Sequence, residues 1–465
     1  MSSFLIIFFL VIIGLVVLIC YLFDIFSKKH EDIYQYDNEL EEINQENKKE
    51  KTISEVIKIP NDGTFIGIAD NTEVHIPDNS KHIFTCGTTG SGKTVALANF
   101  IKTAVQKNYP LLIVDGKGDI GEGSILEITK SMCTWAKRKL YVINLVNLEN
   151  SDTYNPFKDS NPTVCKDMLI SMSEWSEEHY KTNTERYLQK LLFLMEKADI
   201  KLSFGTILEY LYNDKFIELS NDLVKKGLQS KEEHLKNLEI SSVSGKIAEE
   251  AFSRFSLLKE SQIGTIFQDN GIDILTALKE NAVILFVLNP LSYFETSSLM
   301  GKLILIDSRK AVAGLFGTQT RKFFIYDEIS TYASTSLTDL VNKSRSANIT
   351  CILATQSLSD LDYAVNENYK EQIIENCNNY ILLRQNSAVN AESWANIIGT
   401  KKTADLTYQI GEDNGRSVAT GKGTVKFNKE YIFHPDEIKS LKTGEAFYIS
   451  KDYDIKIKVK IHKPF

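Results

Sequence analysis

Residues 81–94 read Lys-His-Ile-Phe-Thr-Cys-Gly-Thr-Thr-Gly-Ser-Gly-Lys-Thr, and this stretch decides the fold. An apolar run ends in a glycine-rich turn, and a helical pattern that begins Val95-Ala96-Leu97 follows it. Glycines at this spacing let backbone N–H groups surround a phosphate, and the start of a helix adds its dipole. The pattern therefore predicts a phosphate-binding loop made of Gly87, Thr88, Thr89, Gly90, Ser91, Gly92, Lys93 and Thr94.

Two side chains at the end of this loop have expected roles in nucleotide binding. Lys93 is expected to reach the β- and γ-phosphates of ATP, and the Thr94 hydroxyl is expected to bind Mg²⁺. The alternative is an ordinary glycine-rich turn. That alternative leaves the strand before the loop and the helix after it unexplained, so nucleotide binding is the favoured interpretation.

A second motif lies far downstream, where the apolar run Phe323-Phe324-Ile325-Tyr326 ends in Asp327 and Glu328. Asp327 suits a contact to magnesium-bound water, and Glu328 suits polarisation of the water that attacks the γ-phosphate. Carboxylates also end many strands at solvent edges, so this pair alone is weak evidence. Combined with the phosphate loop, it predicts ATP hydrolysis rather than nucleotide sensing.

Three further polar residues are candidates for the same site. Gln356 closes the strand that ends Ala354-Thr355, and we interpret it as a sensor of the γ-phosphate; a polar strand cap is the alternative. Arg345 ends a helix, where a cation also favours the helix dipole. As an arginine finger that reaches a neighbouring subunit, it would neutralise charge in phosphoryl transfer. Arg384 is the second candidate for that role.

The arrangement of apolar patterns predicts an α/β fold with an inserted all-α subdomain. The phosphate loop, followed at a distance by a strand that ends in Asp-Glu, resembles the arrangement in RecA-like nucleotide-binding domains. Strand patterns such as Leu111–Asp115 alternate with helical patterns, which is typical of a parallel sheet. The expected division is an anchor (1–27), a neck (28–52), the first part of the nucleotide-binding domain (53–160), the helical insert (161–276) and the second part (277–465).

The amino-terminal segment is expected to cross a membrane. From Phe4 to Phe23 the residues are apolar apart from Gly14 and Tyr21, and about 20 such residues span a bilayer as a helix. A cleaved signal peptide is the alternative, but no small-x-small cleavage site follows the run. Lys28 and Lys29 follow it, so the positive-inside rule predicts a single-pass protein with its body in the cytoplasm.

Composition limits the other classes of function. The formal net charge is -8, so nucleic-acid contacts must come from local basic clusters and not from a generally basic surface. The six cysteines are scattered without CxxC pairs, and the seven histidines show no metal-ligand spacing. A transition-metal site is therefore not expected.

In combination, these motifs resemble those of the type IV secretion coupling proteins, within the class of RecA-like hexameric DNA pumps. The similarity covers roughly residues 53 to 465. It is carried by Gly87–Thr94, Asp115-Gly116-Lys117-Gly118-Asp119, Tyr154-Asn155-Pro156-Phe157, Asp327-Glu328, Arg345, Gln356-Ser357, Asn376 and Gly444-Glu445-Ala446. The resemblance implies an ATPase that uses ATP and Mg²⁺, forms a homohexamer and moves single- or double-stranded DNA through a central channel.

The same resemblance implies the partners and the place of action. They are relaxase and other relaxosome proteins, components of a type IV secretion channel, and the lipid bilayer of a bacterial cell membrane. The chain differs from the family pattern at Gly116, where proline is usual, and in having one predicted membrane helix instead of two. A segregation or repair-type double-stranded DNA translocase and a nucleotide-binding membrane scaffold are the alternatives.

Overall fold

The computed structural model describes residues 14–23, 63–172, 175, 177–413 and 416–465. Its strands are β1 (Gly63–Ala69), β2 (Thr72–Pro77), β3 (His82–Cys86), β4 (Leu111–Asp115), β5 (Leu140–Asn144), β6 (Val283–Val287), β7 (Lys322–Asp327), β8 (Ile349–Thr355), β9 (Cys377–Leu382), β10 (Thr400–Asp413), β11 (Arg416–Tyr431), β12 (Glu445–Ser450) and β13 (Ile455–Ile461). Its helices are α1 (Lys93–Gln106), α2 (Ile125–Ala136), α3 (Pro162–Ser171), α4 (Glu178–Lys197), α5 (Phe204–Leu211), α6 (Asn213–Lys225), α7 (Lys231–Glu260), α8 (Ile274–Lys279), α9 (Phe294–Gly314), α10 (Thr335–Ser344), α11 (Tyr369–Asn376), α12 (Ala388–Ile398) and α13 (Pro435–Ser440).

A mixed sheet of 11 strands forms the centre of the described chain, in the order β2-β1-β13-β12-β9-β3-β8-β7-β4-β6-β5. The strands from β9 to β5 pair in parallel. The other four continue the sheet with antiparallel pairs. The predicted RecA-like α/β fold is confirmed, and β12 and β13 near the end of the chain join the same sheet.

The composition of the strands explains why one part of the sheet is parallel and the other antiparallel. Every residue of β4 and β6 is buried, and both read as continuous apolar runs apart from the final Asp115, as expected where helices cover both faces of a parallel sheet. In β13, isoleucine and valine alternate with Lys456, Lys458 and Lys460, and the lysine positions are the more exposed ones. That strand therefore has one covered face and one face towards water, the usual pattern of antiparallel sheets.

Helices α3 to α8 lie between β5 and β6 in the chain. Helices α3 to α7 fall within the region predicted to be all-helical, and α8 extends beyond it to Lys279. The apolar stripe of α4, which includes Tyr187, Leu191 and Met195, is buried. Helix α7 is the longest of this group and packs along α4 and α6. Because each of these helices buries one stripe of apolar side chains, together they form a core of their own.

A buried polar cluster joins the Tyr154-Asn155-Pro156-Phe157 segment to the helices beside the sheet. The Tyr154 hydroxyl donates to Asp307 at 2.9 Å. Lys310 lies 3.1 Å from the Asp307 carboxylate and donates to the Pro156 carbonyl at 2.6 Å. Burial raises the pKa of Asp307, and the Lys310 ammonium opposes that shift. This family motif therefore serves the scaffold and not the nucleotide loop.

The chain forms two compact units: residues 59–391 with 435–465, and a second unit that includes residues 392–434. Strands β10 and β11 in the second unit pair only with each other in the described structure. Residues 14–23 are helical and exposed, whereas the rest of the predicted anchor and the whole neck lie outside the described residues. Of the helices in the described ranges, none has the length and hydrophobicity that a membrane span requires.

Candidate functional site

The parallel register brings the ends of three neighbouring strands to one edge of the sheet. Strand β3 ends at Cys86, β8 at Thr355 and β7 at Asp327, and β8 pairs with both of the others. The phosphate loop leaves β3 at this carboxyl edge. Ligands of open α/β sheets bind at the carboxyl ends of strands, so the predicted site residues are brought to the expected edge.

The loop has the backbone that phosphate binding requires. Gly90 (φ +75°) and Gly92 (φ +111°) adopt left-handed conformations, which glycine reaches without strain. A Cβ built at Gly90 would meet no atom within 4 Å, so space is open beside the loop. Helix α1 begins at Lys93, and no side chain in the described structure caps its first turn. Its N–H groups are left for an anion.

Neighbouring segments hold this loop in place. Thr88 donates its N–H and its hydroxyl to the Arg384 carbonyl, at 3.0 and 3.1 Å. The Thr443 hydroxyl donates to the Gly90 carbonyl at 3.1 Å, and the Gly444 N–H donates to the Ser91 carbonyl at 2.9 Å. Sequence reasoning placed Gly444 in the family pattern but assigned no role to Thr443. The turn at these two residues supports the phosphate loop from the far end of the chain.

Three predicted residues meet at one carboxylate oxygen. Lys93 Nζ donates to Glu328 Oε1 at 2.6 Å, and Gln356 Nε2 donates to the same oxygen at 3.1 Å. The other end of the Gln356 amide accepts from the Thr89 hydroxyl at 3.3 Å. Lys93 and Glu328 are each less than one-tenth exposed. The loop and the two downstream strands thus form one connected polar cluster, and Thr94 lies half-buried in the first turn of α1 next to it.

Asp327 and Asp115 are paired positions on neighbouring strands, and both are almost fully buried. Burial raises the pKa of Asp327 to about 6, and Lys93 opposes that shift. Burial, followed by the charge of Asp327, raises the pKa of Asp115 to about 7. Asp327 Oδ1 lies 3.7 Å from Lys93 Nζ and accepts no hydrogen bond from any described residue. A buried carboxylate oxygen without a donor suits contact with a hydrated cation.

Arg345 lies away from this cluster within the same chain. It precedes β8, at the amino edge of the sheet, close enough to His82 at the start of β3 to affect its pKa. The seven residues of β8 separate the two edges by about 20 Å at the usual rise per residue. Arg384, in contrast, follows β9 at the carboxyl edge and is half-buried beside Thr88.

Comparisons with known proteins agree with this arrangement. A family model described as "Helicase HerA, central domain" matches residues 70–300, and one described as "TraM recognition site of TraD and TraG" matches residues 321–443. An uncharacterized protein of Mycoplasma pneumoniae is 30% identical over 131 residues, which are 27% of this chain and 87% of that protein.

Solved structures share the fold at low sequence identity. The bacterial conjugative coupling protein TrwBdeltaN70 is 14% identical with a TM-score of 0.65, over 89% of this chain and 92% of that one. TrwB in complex with ADP and Mg²⁺ has a TM-score of 0.60 at 14% identity, over the same shares of the two chains. VirB4 of Thermoanaerobacter pseudethanolicus has a TM-score of 0.54 at 13% identity, over 86% of this chain and 97% of that one.

The two family models cover complementary parts of the sequence, and the shared fold extends over most of the described chain. The phosphate loop, the Asp327-Glu328 pair and Gln356 occupy one site within the matched ranges. The chain thus carries a region similar to the central domain of the helicase HerA and a region similar to the TraM recognition site of TraD and TraG, on a fold that it shares with the coupling protein TrwB and with VirB4.

Proposed function

We propose that this chain is a membrane-anchored, ATP-driven DNA translocase that acts as the coupling protein of a conjugation system. In this role it delivers relaxase-bound DNA to a type IV secretion channel. The convergence of Lys93 and Gln356 on Glu328, beside an Asp327 oxygen that accepts no hydrogen bond from the described residues, is the observation that carries the proposal. It supports ATP hydrolysis, which is the energy source that DNA movement needs.

The residues present fit ATP and Mg²⁺. The uncapped start of α1 and the open space beside Gly90 suit the phosphates, while Thr94 and Asp327 suit Mg²⁺ and its waters. Bound ATP supplies the reacting phosphoryl group, and Mg²⁺ neutralises part of its charge. The related TrwB fold has been solved with ADP and Mg²⁺, which supports the same pair of ligands for this chain.

Lys93 has two competing partners in this proposal. In the structure its ammonium group is paired with Glu328 at 2.6 Å. Lys93 would exchange Glu328 for the phosphate oxygens of a bound nucleotide, because these carry more negative charge than one carboxylate. Glu328 is then free to orient and polarise the attacking water, and Gln356 holds the carboxylate or the γ-phosphate. Arg345 completes the charge neutralisation from a neighbouring copy in a homohexamer.

The partners follow from the family resemblance. They are DNA, relaxase and relaxosome proteins, and the components of the secretion channel. The match of residues 321–443 to a model named for the recognition site of another protein supports protein contacts through this region. The apolar run from Phe4 to Phe23 is the proposed contact with the bilayer, as a single-pass anchor.

A second candidate is a double-stranded DNA translocase of the segregation or repair type. The match of residues 70–300 to the central domain of the helicase HerA favours it. Both functions use the same ATP site, so the site residues do not separate them. The bound macromolecule does: a coupling protein binds a relaxase–DNA complex, whereas a translocase of the second type moves free double-stranded DNA.

The test uses the full chain purified in detergent. ATP turnover is measured without DNA and with single- and double-stranded DNA, and the Glu328→Gln protein is then used to capture bound partners from donor cells. The proposal predicts DNA-stimulated turnover and capture of relaxase with its DNA. ATP binding without turnover would support a docking scaffold instead, and capture of double-stranded DNA without relaxase would favour the second candidate.

A further inference from the structure

Glu328 has an unusual backbone conformation. Its φ of 48° and ψ of 54° lie in the left-handed region, which residues with a Cβ adopt rarely. This conformation turns the chain sharply after β7 and directs the carboxylate to Lys93 and Gln356. A strained backbone of this kind persists only where its surroundings hold it, and such strain clusters at functional sites. The groups that hold this turn therefore influence where the carboxylate lies.

The peptide group before Glu328 is held by two donors. The Asp327 carbonyl accepts from the Tyr332 hydroxyl at 2.9 Å and from the Gly116 N–H at 3.2 Å. The Thr331 N–H closes the turn by donating to the Glu328 carbonyl at 2.9 Å. A carbonyl has two lone pairs, so the Asp327 oxygen is saturated by these contacts. The orientation of the peptide is thereby defined.

Two glycines leave room for the Tyr332 side chain beside the Asp327–Glu328 peptide. Tyr332 is fully buried, and a Cβ on Gly301 would lie 2.3 Å from the Cβ of Tyr332. A Cβ on Gly116 would lie 2.7 Å from the Asp327 carbonyl oxygen and 3.0 Å from the Tyr332 ring. The Tyr332 side chain is therefore packed against both glycines, with its hydroxyl on the Asp327 carbonyl.

We infer that Tyr332 is a positioning residue for ATP hydrolysis: with the Gly116 N–H, its hydroxyl holds the Asp327–Glu328 peptide so that Glu328 faces the nucleotide. The inference rests on the proposed function. Tyr332 does not reach the nucleotide site itself and acts through Glu328. The competing interpretation is a hydroxyl that contributes only to stability, as a buried tyrosine elsewhere in the chain does.

The chain offers a matched control for this test. Tyr187 is also fully buried, and its hydroxyl also donates to a single backbone carbonyl at 2.9 Å, that of Leu211 in the helical region. In the full chain, Tyr332→Phe is expected to lower kcat about 10-fold with ATP affinity unchanged, the size expected for one lost hydrogen bond. Both substitutions are expected to lower thermal stability by a similar amount, because each removes one buried hydrogen bond. Tyr187→Phe is expected to leave kcat unchanged.

A double-mutant cycle separates positioning from stability. If Tyr332 acts through Glu328, Tyr332→Phe has no further effect on turnover in a Glu328→Gln background. Wild-type kcat in Tyr332→Phe, or an equal 10-fold loss in both backgrounds, would overturn the inference while leaving the proposed function intact. Full turnover in Glu328→Gln alone would overturn the proposed function, and the inference with it.

Discussion

The two edges of the parallel sheet differ in what they hold. At the carboxyl edge, Lys93, Glu328 and Gln356 share one cluster, and Thr443 supports the loop beside it. At the amino edge, His82 is buried and accepts a hydrogen bond from the Cys351 N–H, while Arg345 is exposed in the short helical turn before β8. One edge thus gathers polar groups around an open space, and the other carries Arg345 in an exposed turn.

This difference indicates which catalytic groups can come from the same chain and which would have to come from a second copy. About 20 Å of sheet separates Arg345 from the phosphate loop of its own chain, and no side chain spans that distance. If Arg345 takes part in hydrolysis, it therefore acts on the site of another copy. Arg384 lies at the carboxyl edge, where its backbone carbonyl accepts from Thr88 in the loop of its own chain. As the source of the catalytic arginine, Arg384 would act within one chain, whereas Arg345 would act between two.

The largest loss of ATP turnover is expected from a substitution at the amino edge. Arg345→Ala should slow hydrolysis by roughly 10³-fold or more, because an arginine supplied by a neighbour acts on the transition state, while ATP affinity stays normal. Steady-state turnover and nucleotide binding measure the two effects. Lys343→Ala removes another exposed cation two residues earlier and serves as the control. An equal loss in both variants would remove the special role of Arg345.

The second largest loss of ATP turnover is expected at the carboxyl edge. Glu328→Gln should retain ATP binding, because the loop is intact, and should lower turnover on the order of 10³-fold as the attacking water loses its carboxylate. Single-turnover measurements with radiolabelled ATP give the chemical rate. Glu280→Gln changes an exposed carboxylate near the amino edge that pairs with Lys139, and its turnover should match the wild type. Unchanged turnover in Glu328→Gln would contradict the assignment.

Gln356→Ala is expected to have an intermediate effect. It removes one donor to Glu328 Oε1 and one acceptor for Thr89, so turnover should fall by roughly 10- to 100-fold, the size expected for a hydrogen bond to a charged group. If Gln356 also senses the γ-phosphate, ATP affinity should fall more than ADP affinity. Equal loss of both affinities would favour the polar strand cap instead.

The smallest effect concerns stability at the amino edge. Burial, with a smaller contribution from Arg345, lowers the pKa of His82 to about 4, against an ordinary value of 6.5. Between these values the unfolded chain binds the extra proton, so stability is full above pH 6.5 and falls as the pH falls. His82 should account for about 2 kcal/mol of lost unfolding free energy between pH 7 and pH 5.

The control for that prediction is His82→Asn, which keeps an acceptor for the Cys351 N–H and removes the titrating group. Denaturant unfolding at pH 7 and pH 5 measures the difference. The variant should lose about 2 kcal/mol less than the wild type over this interval. The same pH dependence in both proteins would mean that His82 is not the responsible group.

The sequence predicted the central strands well and the outer ones less well. The ends of strands β4 and β7 lie within one residue of the ends of their apolar runs, because both faces of a parallel strand are buried and the run is continuous. The pairing of β12 with β9 and of β13 with β1 depends on contacts between distant residues, which no local pattern encodes. Within the ribbon of β10 and β11, an alternating pattern is visible in the sequence only at Thr424–Asn428, a small part of its length.

The polar residues of the site were predictable because their motifs carry their own chemistry. Glycine spacing identified the loop, and a strand that ends in Asp327 and Glu328 identified the second half. The supporting groups were not predictable. Tyr332 is indistinguishable from a core aromatic in the sequence, and the left-handed conformation of Glu328 appears only in three dimensions. The roles assigned to Gln356 and Arg345 stay predictions until activity is measured.

The most direct test of a site divided between two copies is ATP turnover in a mixture of Arg345→Ala and Lys93→Ala chains, with co-assembly shown by differential tags. Some interfaces in the mixture pair one intact Lys93 with one intact Arg345. The divided site therefore predicts partial recovery of hydrolysis that neither variant shows alone. No recovery despite co-assembly, together with near-normal turnover of Arg345→Ala alone, would contradict it and shift the role to Arg384.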